Sequence, residues 1–442
     1  YQAQTREPWG YADPDGDGPI TDLVVGGDKS GVQSSFYERK GYLGVLEFAP
    51  NDRLRMVFDA YHSDFKELKT IQRMEFGTIW GGAALSNPGA VEDGRFQSGT
   101  FANVPFVVIE NYNNDRTAEI TSLGWNTTFQ LNDNWQFTGD LSYSKSERED
   151  LRLESTAGTG TNNDPLPPPA VDSISFVTLP ARPSLFTPTL DYSDYNTVFL
   201  TDPGGWGGGM RRSGFVGNPT VEDDIQALRL AVNRKFEGFL SDVTLGVNLA
   251  EREKEKANFQ SILYLTGDIS HAVVPEQYRT GIANTAFFGS SFGMISYDAL
   301  AMYRDGFWDP VDAFEDPNPA VGDGDRQSAV TNDWRVKEKL TTVFLRFGID
   351  TEIGELPLRG NIGVQSVSTD QTAYLNLFSP PEDDETFGTS SPITDGDEYT
   401  DILPSLNLAL DLPHDQKLRV GAAVTQARPR MDEMAGGSGY TV

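Results

Sequence analysis

The segment ILPSLNLALDLPHDQKLRVGAAVTQARPR, residues 402–430, alternates apolar and polar side chains on both sides of a short polar turn. Before the turn, leucine occupies every second position, at Leu406, Leu408, Leu410 and Leu412. After PHDQK the alternation returns, with Leu418, Val420, Ala422 and Val424 on one face. Period-two alternation across a tight turn is typical of a β-hairpin with one apolar face.

The same pattern occurs four more times. The polar turns of these further hairpins are APND (49–52), NDN (132–134), EGFLS (237–241) and GELP (354–357). The links between hairpins are long, run over roughly residues 66–118, 156–222, 259–334 and 377–399, and are rich in Gly, Pro, Asn and Asp. The sequence therefore predicts ten strands, with all short turns at one end of a sheet and all long loops at the other.

Short turns at one end, long loops at the other and one apolar face are typical of a large transmembrane β-barrel. A tilted strand needs only about 9–11 residues to cross a bilayer. In this interpretation the leucines face lipid, whereas Asn407, Asp411 and Arg419 face a water-filled interior. Aromatic residues near the predicted membrane interfaces fit a girdle, and they are Trp125, Trp135, Tyr143 and Phe236. A soluble sandwich, with the apolar faces of two sheets packed together, is the alternative fold.

Composition narrows the classes of function. The chain has 442 residues, a formal net charge of −30 and no cysteine. The acidic balance disfavours nucleic-acid binding, because such a surface repels phosphate. The absence of cysteine excludes disulfides and thiolate metal or redox sites. The first and last residues show no start or finish of an element, so we expect the chain to be part of a longer protein.

Residues 401–434, DILPSLNLALDLPHDQKLRVGAAVTQARPRMDEM, give a more specific indication. They resemble the mid-barrel hairpin of TonB-dependent outer-membrane receptors, in which an LPSLNL strand, a short turn and a strand ending in RP and DEL recur. The segments SDYNTVFLTDPGGWG (193–207) and EDDIQALRLAVNRKF (222–236) are also similar to this superfamily. The nearest resemblance is to the proteobacterial branch that includes oligosaccharide transporters.

The resemblance implies an antiparallel 22-stranded transmembrane barrel in the cell outer membrane, with a plug domain inside it and a TonB box before the plug. It also implies import of a nutrient driven through the TonB complex, without catalysis and without a cofactor. The sequence has neither a plug-like segment nor a TonB box, and it has ten predicted strands. We therefore expect residues 1–442 to form a central part of such a barrel domain, in contact with outer-membrane lipid.

Two other functions remain open from the sequence. One is a siderophore or other metal-chelate receptor of the same fold, although an acidic mouth would repel anionic chelates. The other is a soluble β-rich carbohydrate-binding protein or hydrolase. Dependence on detergent separates this last class from a membrane receptor.

Aromatic residues in the long loops are the candidate ligand-binding residues, because exposed rings stack on the C–H faces of sugars. We predict that Trp80, Trp206, Phe307 and Trp308 contact an oligosaccharide ligand. Trp206 is flanked by glycines, and Phe307 and Trp308 are adjacent in RDGFWDP. The other loop aromatics are Phe287, Phe288, Phe292, Tyr297 and Tyr303.

Two further motifs point to chemistry only weakly. GSSFG (289–293) matches the nucleophile elbow with Ser291, but it lies in a predicted loop, and the one histidine after it, His414, lies in a turn at the opposite end. Asp13, Asp15 and Asp17 have EF-hand spacing, but Val24 replaces the bidentate glutamate of the twelfth position. We therefore predict neither a catalytic site nor a metal site, and leave open whether the acidic loops bind calcium.

Overall fold

The computed structural model describes residues 2–16, 18, 21–160, 170–179, 182–206, 212–267, 269–284, 293–318, 321–379 and 388–435. The fold is almost entirely antiparallel β-structure, as the alternating sequence predicts. Within the described ranges, none of the helices is long and apolar enough to cross a membrane.

Strands account for most of the described chain. The strands of the first half are β1 (Gln2–Pro8), β2 (Tyr11–Ala12), β3 (Val24–Val25), β4 (Gly27–Asn51), β5 (Leu54–Gly77), β6 (Ala84–Ser86), β7 (Val91–Glu92), β8 (Arg95–Phe96), β9 (Ser98–Val104), β10 (Val107–Gln130), β11 (Trp135–Gly158), β12 (Asp172–Leu179), β13 (Arg182–Thr187) and β14 (Phe199–Leu200). Those of the second half are β15 (Arg212–Lys235), β16 (Leu240–Leu265), β17 (Arg279–Asn284), β18 (Gly293–Tyr297), β19 (Trp308–Asp312), β20 (Trp334–Ile353), β21 (Leu356–Ser379), β22 (Thr389–Leu412) and β23 (Gln416–Ala423). The α-helices are α1 (Ala299–Arg304) and α2 (Asp323–Thr331), and Ile79–Gly81 and Glu276–Tyr278 form short 3-10 helices.

One large sheet of 13 strands organises the molecule. Its order is β1-β4-β5-β10-β11-β15-β16-β20-β21-β22-β23, with β14 added to β11 and β19 added to β16. All of these pairs are antiparallel, and the five predicted hairpins are confirmed. Among the described residues, the edge strands β1 and β23 do not pair with each other, so closure into a barrel is not observed.

The hairpin turns follow from local side-chain and backbone chemistry. The Asn51 side chain accepts hydrogen bonds from the backbone amides of Arg53 (2.9 Å) and Leu54 (3.1 Å). The Asn132 side chain likewise accepts hydrogen bonds from the backbone amides of Asn134 and Trp135. In the last hairpin His414 and Asp415 adopt φ of 62° and 58°. These left-handed positions close a tight turn, and all five turns lie at what we call the turn end of the sheet.

At the other end, the loop end, the strands extend further than the sequence predicts. The sequence predicts a link over residues 66–118. In the structure β5 continues to Gly77 and β10 already starts at Val107, so the link is shorter than predicted. The predicted bounds were wrong because the polar strand ends are held by cross-strand ion pairs rather than by apolar alternation. The Arg116 side chain, for example, contacts the Asp150 carboxylate at 2.6 Å between directly paired residues.

The long strands have one mainly apolar face and one mainly polar face. Directly paired residues share a face, because side chains alternate along each strand and partners lie opposite each other. One row of partners crosses six strands and consists of Leu46, Phe58, Trp125, Leu141, Leu228 and Leu249. All six side chains are exposed, which is unusual for a contiguous apolar surface in a soluble monomer.

The apolar face has a sharp limit along each strand. On β11 its members run from Trp135 to Tyr143, and the next residues on that face are charged, beginning with Lys145 and Glu147. On β16 the corresponding apolar residues end at Leu249, before Glu251. We call the apolar side chains between the turns and this limit the apolar band.

At the loop end the connecting segments pack on both faces of the sheet. On the apolar face, α1 packs against β10 and β11, and the buried Tyr297 hydroxyl lies 2.9 Å from the Ser155 hydroxyl. The smaller sheet β13-β12-β9-β6 joins the same core through Phe186, whose ring makes an edge contact with Phe76. On the polar face, the side chain of Asn332, after α2, accepts a hydrogen bond from Lys256 at 2.9 Å.

Candidate ligand-binding site

The polar face carries rows of hydrogen-bonding side chains across the middle of the sheet. One row of direct partners contains Asn126, Asp140, Arg229, Asn248 and Thr342. The Asn126 amide donates to the Asp140 carboxylate at 3.1 Å. Toward the turn end, the amide of Asn233 donates to Thr244 and to Asp242, both at 2.9 Å.

A concave region of about 610 Å³ lies on this face between β15 and β23. Its polar lining includes Arg229, Asn248, Thr342, Arg346, Asn361 and Gln365. Guanidinium, amide and hydroxyl groups in one concavity suit a solute that both donates and accepts hydrogen bonds. The region is a candidate contact surface for a polar ligand, and sequence reasoning did not single it out.

Charged residues near the turn end pair with one another. The Arg55 side chain contacts Glu47 at 2.7 Å. The side chain of Arg346 contacts Asp242 at 2.8 Å. Asp350 contacts Arg359 at 3.3 Å. These ion pairs lie on the polar face of the sheet.

Nearer the loop end, a first ionic cluster joins β4, β5, β10 and β11. Lys29 contacts Glu75 at 2.7 Å and Glu110 at 3.3 Å, and Arg73 also pairs with Glu110. Arg73 lies 3.8 Å from Glu154. Burial and the neighbouring negative charge of Glu110 raise the pKa of Glu154 to about 7, and the positive charge of Arg73 only partly opposes them. This carboxyl therefore titrates near neutral pH.

A second ionic cluster surrounds Asp150, whose side chain is completely buried. Arg116 binds its carboxylate in bidentate fashion, at 2.6 Å and 3.3 Å. Arg152 and Arg148 approach the same carboxylate at 3.2 Å and 3.5 Å. Burial raises the pKa of Asp150, but the hydrogen bond from Arg116 and the charges of the arginines more than offset it, so the pKa lies below its usual range.

The predicted aromatic residues have unequal surroundings. Trp80, within the 3-10 helix Ile79–Gly81, is 55% exposed, and its ring lies so close to Gly26 that a Cβ there would be only 2.5 Å away. Trp206 is 44% exposed, and its backbone amide donates to Asp202 at 3.0 Å. Both tryptophans are therefore partly open to solvent.

Trp308 is buried rather than exposed, with 3% of its surface accessible. It pairs with Leu265 where β19 adds to β16, and its indole N–H donates to Ser213. The half-buried Phe307 ring contacts the Trp308 ring edge-on, with centroids 5.3 Å apart. The structure thus brings Phe307 and Trp308 together, but within the loop-end core, and ligand binding by the four aromatic residues stays a prediction.

The structure describes only some residues of GSSFG and of the aspartates with EF-hand spacing. Ser291 of GSSFG, together with Phe287, Phe288 and Phe292, lies outside the described residues. The carboxylates of Asp13, Asp15 and Asp22 lie within 4.8 Å of one another, while Asp17 lies outside the described residues. Asp13 already accepts backbone hydrogen bonds from Gly16 and Gly18, at 3.1 Å and 3.2 Å, as an acidic turn does without an ion.

Sequence reasoning missed the two ionic clusters. A signal was present, because Arg148, Asp150, Arg152 and Glu154 alternate along β11 and so share its polar face. Their partners on β5 and β10 are distant in sequence, and only the register brings them together.

The chain matches no model of a known protein family, and no curated protein is similar to it at a significant level.

Proposed function

We propose that this chain belongs to the barrel of an outer-membrane, TonB-dependent importer that takes up a nutrient, an oligosaccharide. The observation that carries the proposal is the apolar band. On β11 the band runs from Trp135 to Tyr143, a stretch of nine residues. A tilted strand crosses a bilayer with about 9–11 residues, so the height of the band suits a bilayer. A band of exposed apolar side chains bounded by charge fits burial in lipid.

The arrangement of turns and loops supports the same proposal. Turns are tight at one end of the sheet, while the loop end carries a smaller sheet, α1 and α2. Outer-membrane barrels place short turns in the periplasm and long loops outside the cell. In the proposed barrel further strands complete the edges at β1 and β23, because unpaired backbone in lipid costs several kcal/mol per group.

A ligand in this proposal enters from the loop end and moves along the polar face. Trp80 and Trp206 offer exposed rings among the loops, and the concave region lined by Arg229 and Asn248 offers hydrogen-bonding groups further in. Coupling to the TonB complex would act through a plug domain and a TonB box. The chain's own residues bind and guide the ligand and carry out no covalent step.

Cell fractionation and uptake test the proposal together. The protein is expected in the outer-membrane fraction, extracted only by detergent, and deletion of its gene should abolish uptake of a labelled oligosaccharide. Deletion of TonB should have the same effect on uptake without changing the amount of protein. Recovery of the folded protein from the aqueous fraction, without detergent, would contradict the proposal and favour a soluble carbohydrate-binding protein.

A further inference from the structure

The polar face carries a concentration of positive charge that is unexpected in a chain with a net charge of −30. Arg116, Arg148 and Arg152 converge on the single carboxylate of Asp150. The other acidic group in this cluster is Glu67, at 3.5 Å from Arg116. Three guanidinium groups against the two carboxylates of Asp150 and Glu67 leave one positive charge in this cluster.

The register places a fourth cation beside them. Arg148 pairs with Val221 on β15, and Val221 pairs with Lys256 on β16, so the three residues form one row on the polar face. In the next two rows the β15 residues are Pro219 and Gly217. These β15 residues are small, Pro219 and Gly217 are buried, and we call the strip that they form beside the arginines of β11 and the lysine of β16 the floor.

The cations at this floor affect one another. Burial lowers the pKa of Lys256, and the positive charges of Arg152 and Arg148 lower it further, although Asp333 opposes them. The Nε of Arg148 is shut off from water and has no hydrogen-bond partner among the described residues. A group that brought negative charge to the exposed edges of these side chains would relieve the like-charge repulsion.

The two arginines beside this floor are accessible to a ligand. The side chains of Arg148 and Arg152 are 35% and 40% exposed, so their outer edges reach solvent while Asp150 stays buried beneath them. Arginine side chains recognise oxyanions through parallel N–H donors, and a lysine adds a point charge.

We infer that Arg148, Arg152 and Lys256 form a binding site for the oxyanion of an acidic ligand, a carboxylate, sulfate or phosphate group. Arg116 is a positioning residue, because its bidentate contact holds Asp150, which in turn orients the other two arginines. The use of this site during import rests on the proposed function, and the imported oligosaccharide is then an acidic one. Binding of the oxyanion does not depend on import.

Calorimetry of the intact protein in detergent at low ionic strength tests the inference, with inorganic phosphate as the probe. The double variant Arg148→Gln/Arg152→Gln should raise the Kd for phosphate about tenfold or more, because the charge-assisted hydrogen bonds to the oxyanion are lost. The control Arg55→Gln/Arg359→Gln removes the same charge from ion pairs at the turn end and should leave the Kd unchanged.

Two outcomes overturn the inference: no phosphate binding by the unaltered protein, or equal Kd values for the two double variants. If the arginine variant does not fold, Lys256→Gln decides, because Lys256 contacts Asn332 rather than Asp150. It should weaken binding by roughly threefold or more, and an unchanged Kd would overturn the inference.

Competition identifies the source of the oxyanion. Glucuronate should displace phosphate, whereas glucose should not, if the group is carried by a sugar. Displacement by sulfate alone assigns the site to a free inorganic oxyanion. Failure of the oxyanion site and failure of the proposed function give different results. A protein that binds phosphate but fractionates with soluble proteins keeps the oxyanion site and loses only the proposed role in import.

Discussion

The Phe58 and Trp125 rings stack across β5 and β10 with centroids 5.8 Å apart and planes 11° from parallel, and both remain exposed. Soluble proteins rarely leave such apolar surface open, and in the proposed barrel these stacked rings would be buried in lipid. Leu46 and Leu141 extend the same row on either side. The contact therefore lies in the apolar band, close to its limit toward the loop end.

A charge on the apolar band should be far more costly than a charge on the polar face. Leu408, paired with Val420, lies on the apolar face, and the adjacent Asn407 lies on the polar face. Leu408→Arg should destabilise the folded protein in lipid by about 2–4 kcal/mol, and Asn407→Arg by much less. Equilibrium unfolding in bilayers measures the difference, and equal losses would count against burial of the band in lipid.

The two ends of the sheet should lie on opposite sides of the outer membrane. Because the chain has no native cysteine, single cysteines at Asp133 and at Trp206 can be labelled without background. An impermeant maleimide on intact cells should label position 206, at the loop end, and spare position 133, in a hairpin turn. The reverse pattern would invert the proposed topology.

The exposed and the buried tryptophan should respond differently to alanine. Trp206→Ala should weaken oligosaccharide binding about three- to tenfold, as a lost stacking contact of about 0.5–1.5 kcal/mol implies, with little change in stability. Trp308→Ala should instead destabilise the fold by about 3 kcal/mol, because it leaves a cavity in the loop-end core. Calorimetry with maltodextrins and thermal unfolding separate the two effects. An unchanged affinity in Trp206→Ala would remove this residue from the binding site.

Glu154 should make stability depend on pH below neutrality. Its folded pKa of about 7 lies above the ordinary glutamate value, so the folded state binds a proton more tightly than the unfolded state does. Stability from this group is therefore fully present below about pH 4.3, is lost as pH rises toward 7, and changes little above that. Between these limits, thermal unfolding should show the stability of the protein falling relative to that of Glu154→Gln as pH rises, and parallel curves would refute the assignment.

The hairpins could be predicted from the sequence because each is local. Strand, turn and strand lie within one continuous alternating segment, and Asn51, Asn132 and His414 supply the turn chemistry nearby. The loop-end halves of the strands could not be bounded in this way. There the stabilising contacts are ion pairs such as Arg116 with Asp150, which are 34 residues apart and depend on register rather than on apolar periodicity.

The environment of the aromatic residues was equally hard to predict. The local sequence RDGFWDP is polar and suggests an exposed loop, but Trp308 pairs with Leu265, a residue more than forty positions earlier. Its burial is thus set by a long-range strand addition that no local pattern encodes. Trp80 and Trp206, by contrast, are exposed, as their glycine-rich surroundings suggest.

In the proposed barrel the apolar band faces lipid and the opposite face meets water, and spin labelling of one residue on each face distinguishes the two surroundings. Labels at Leu141 and Asp140, adjacent on β11, can be placed one at a time in the cysteine-free chain, which is then reconstituted in bilayers. We expect the label at position 141 to be accessible to oxygen and shielded from a water-soluble nickel chelate, with the opposite result at position 140. Equal access of the nickel chelate to both positions would contradict this expectation.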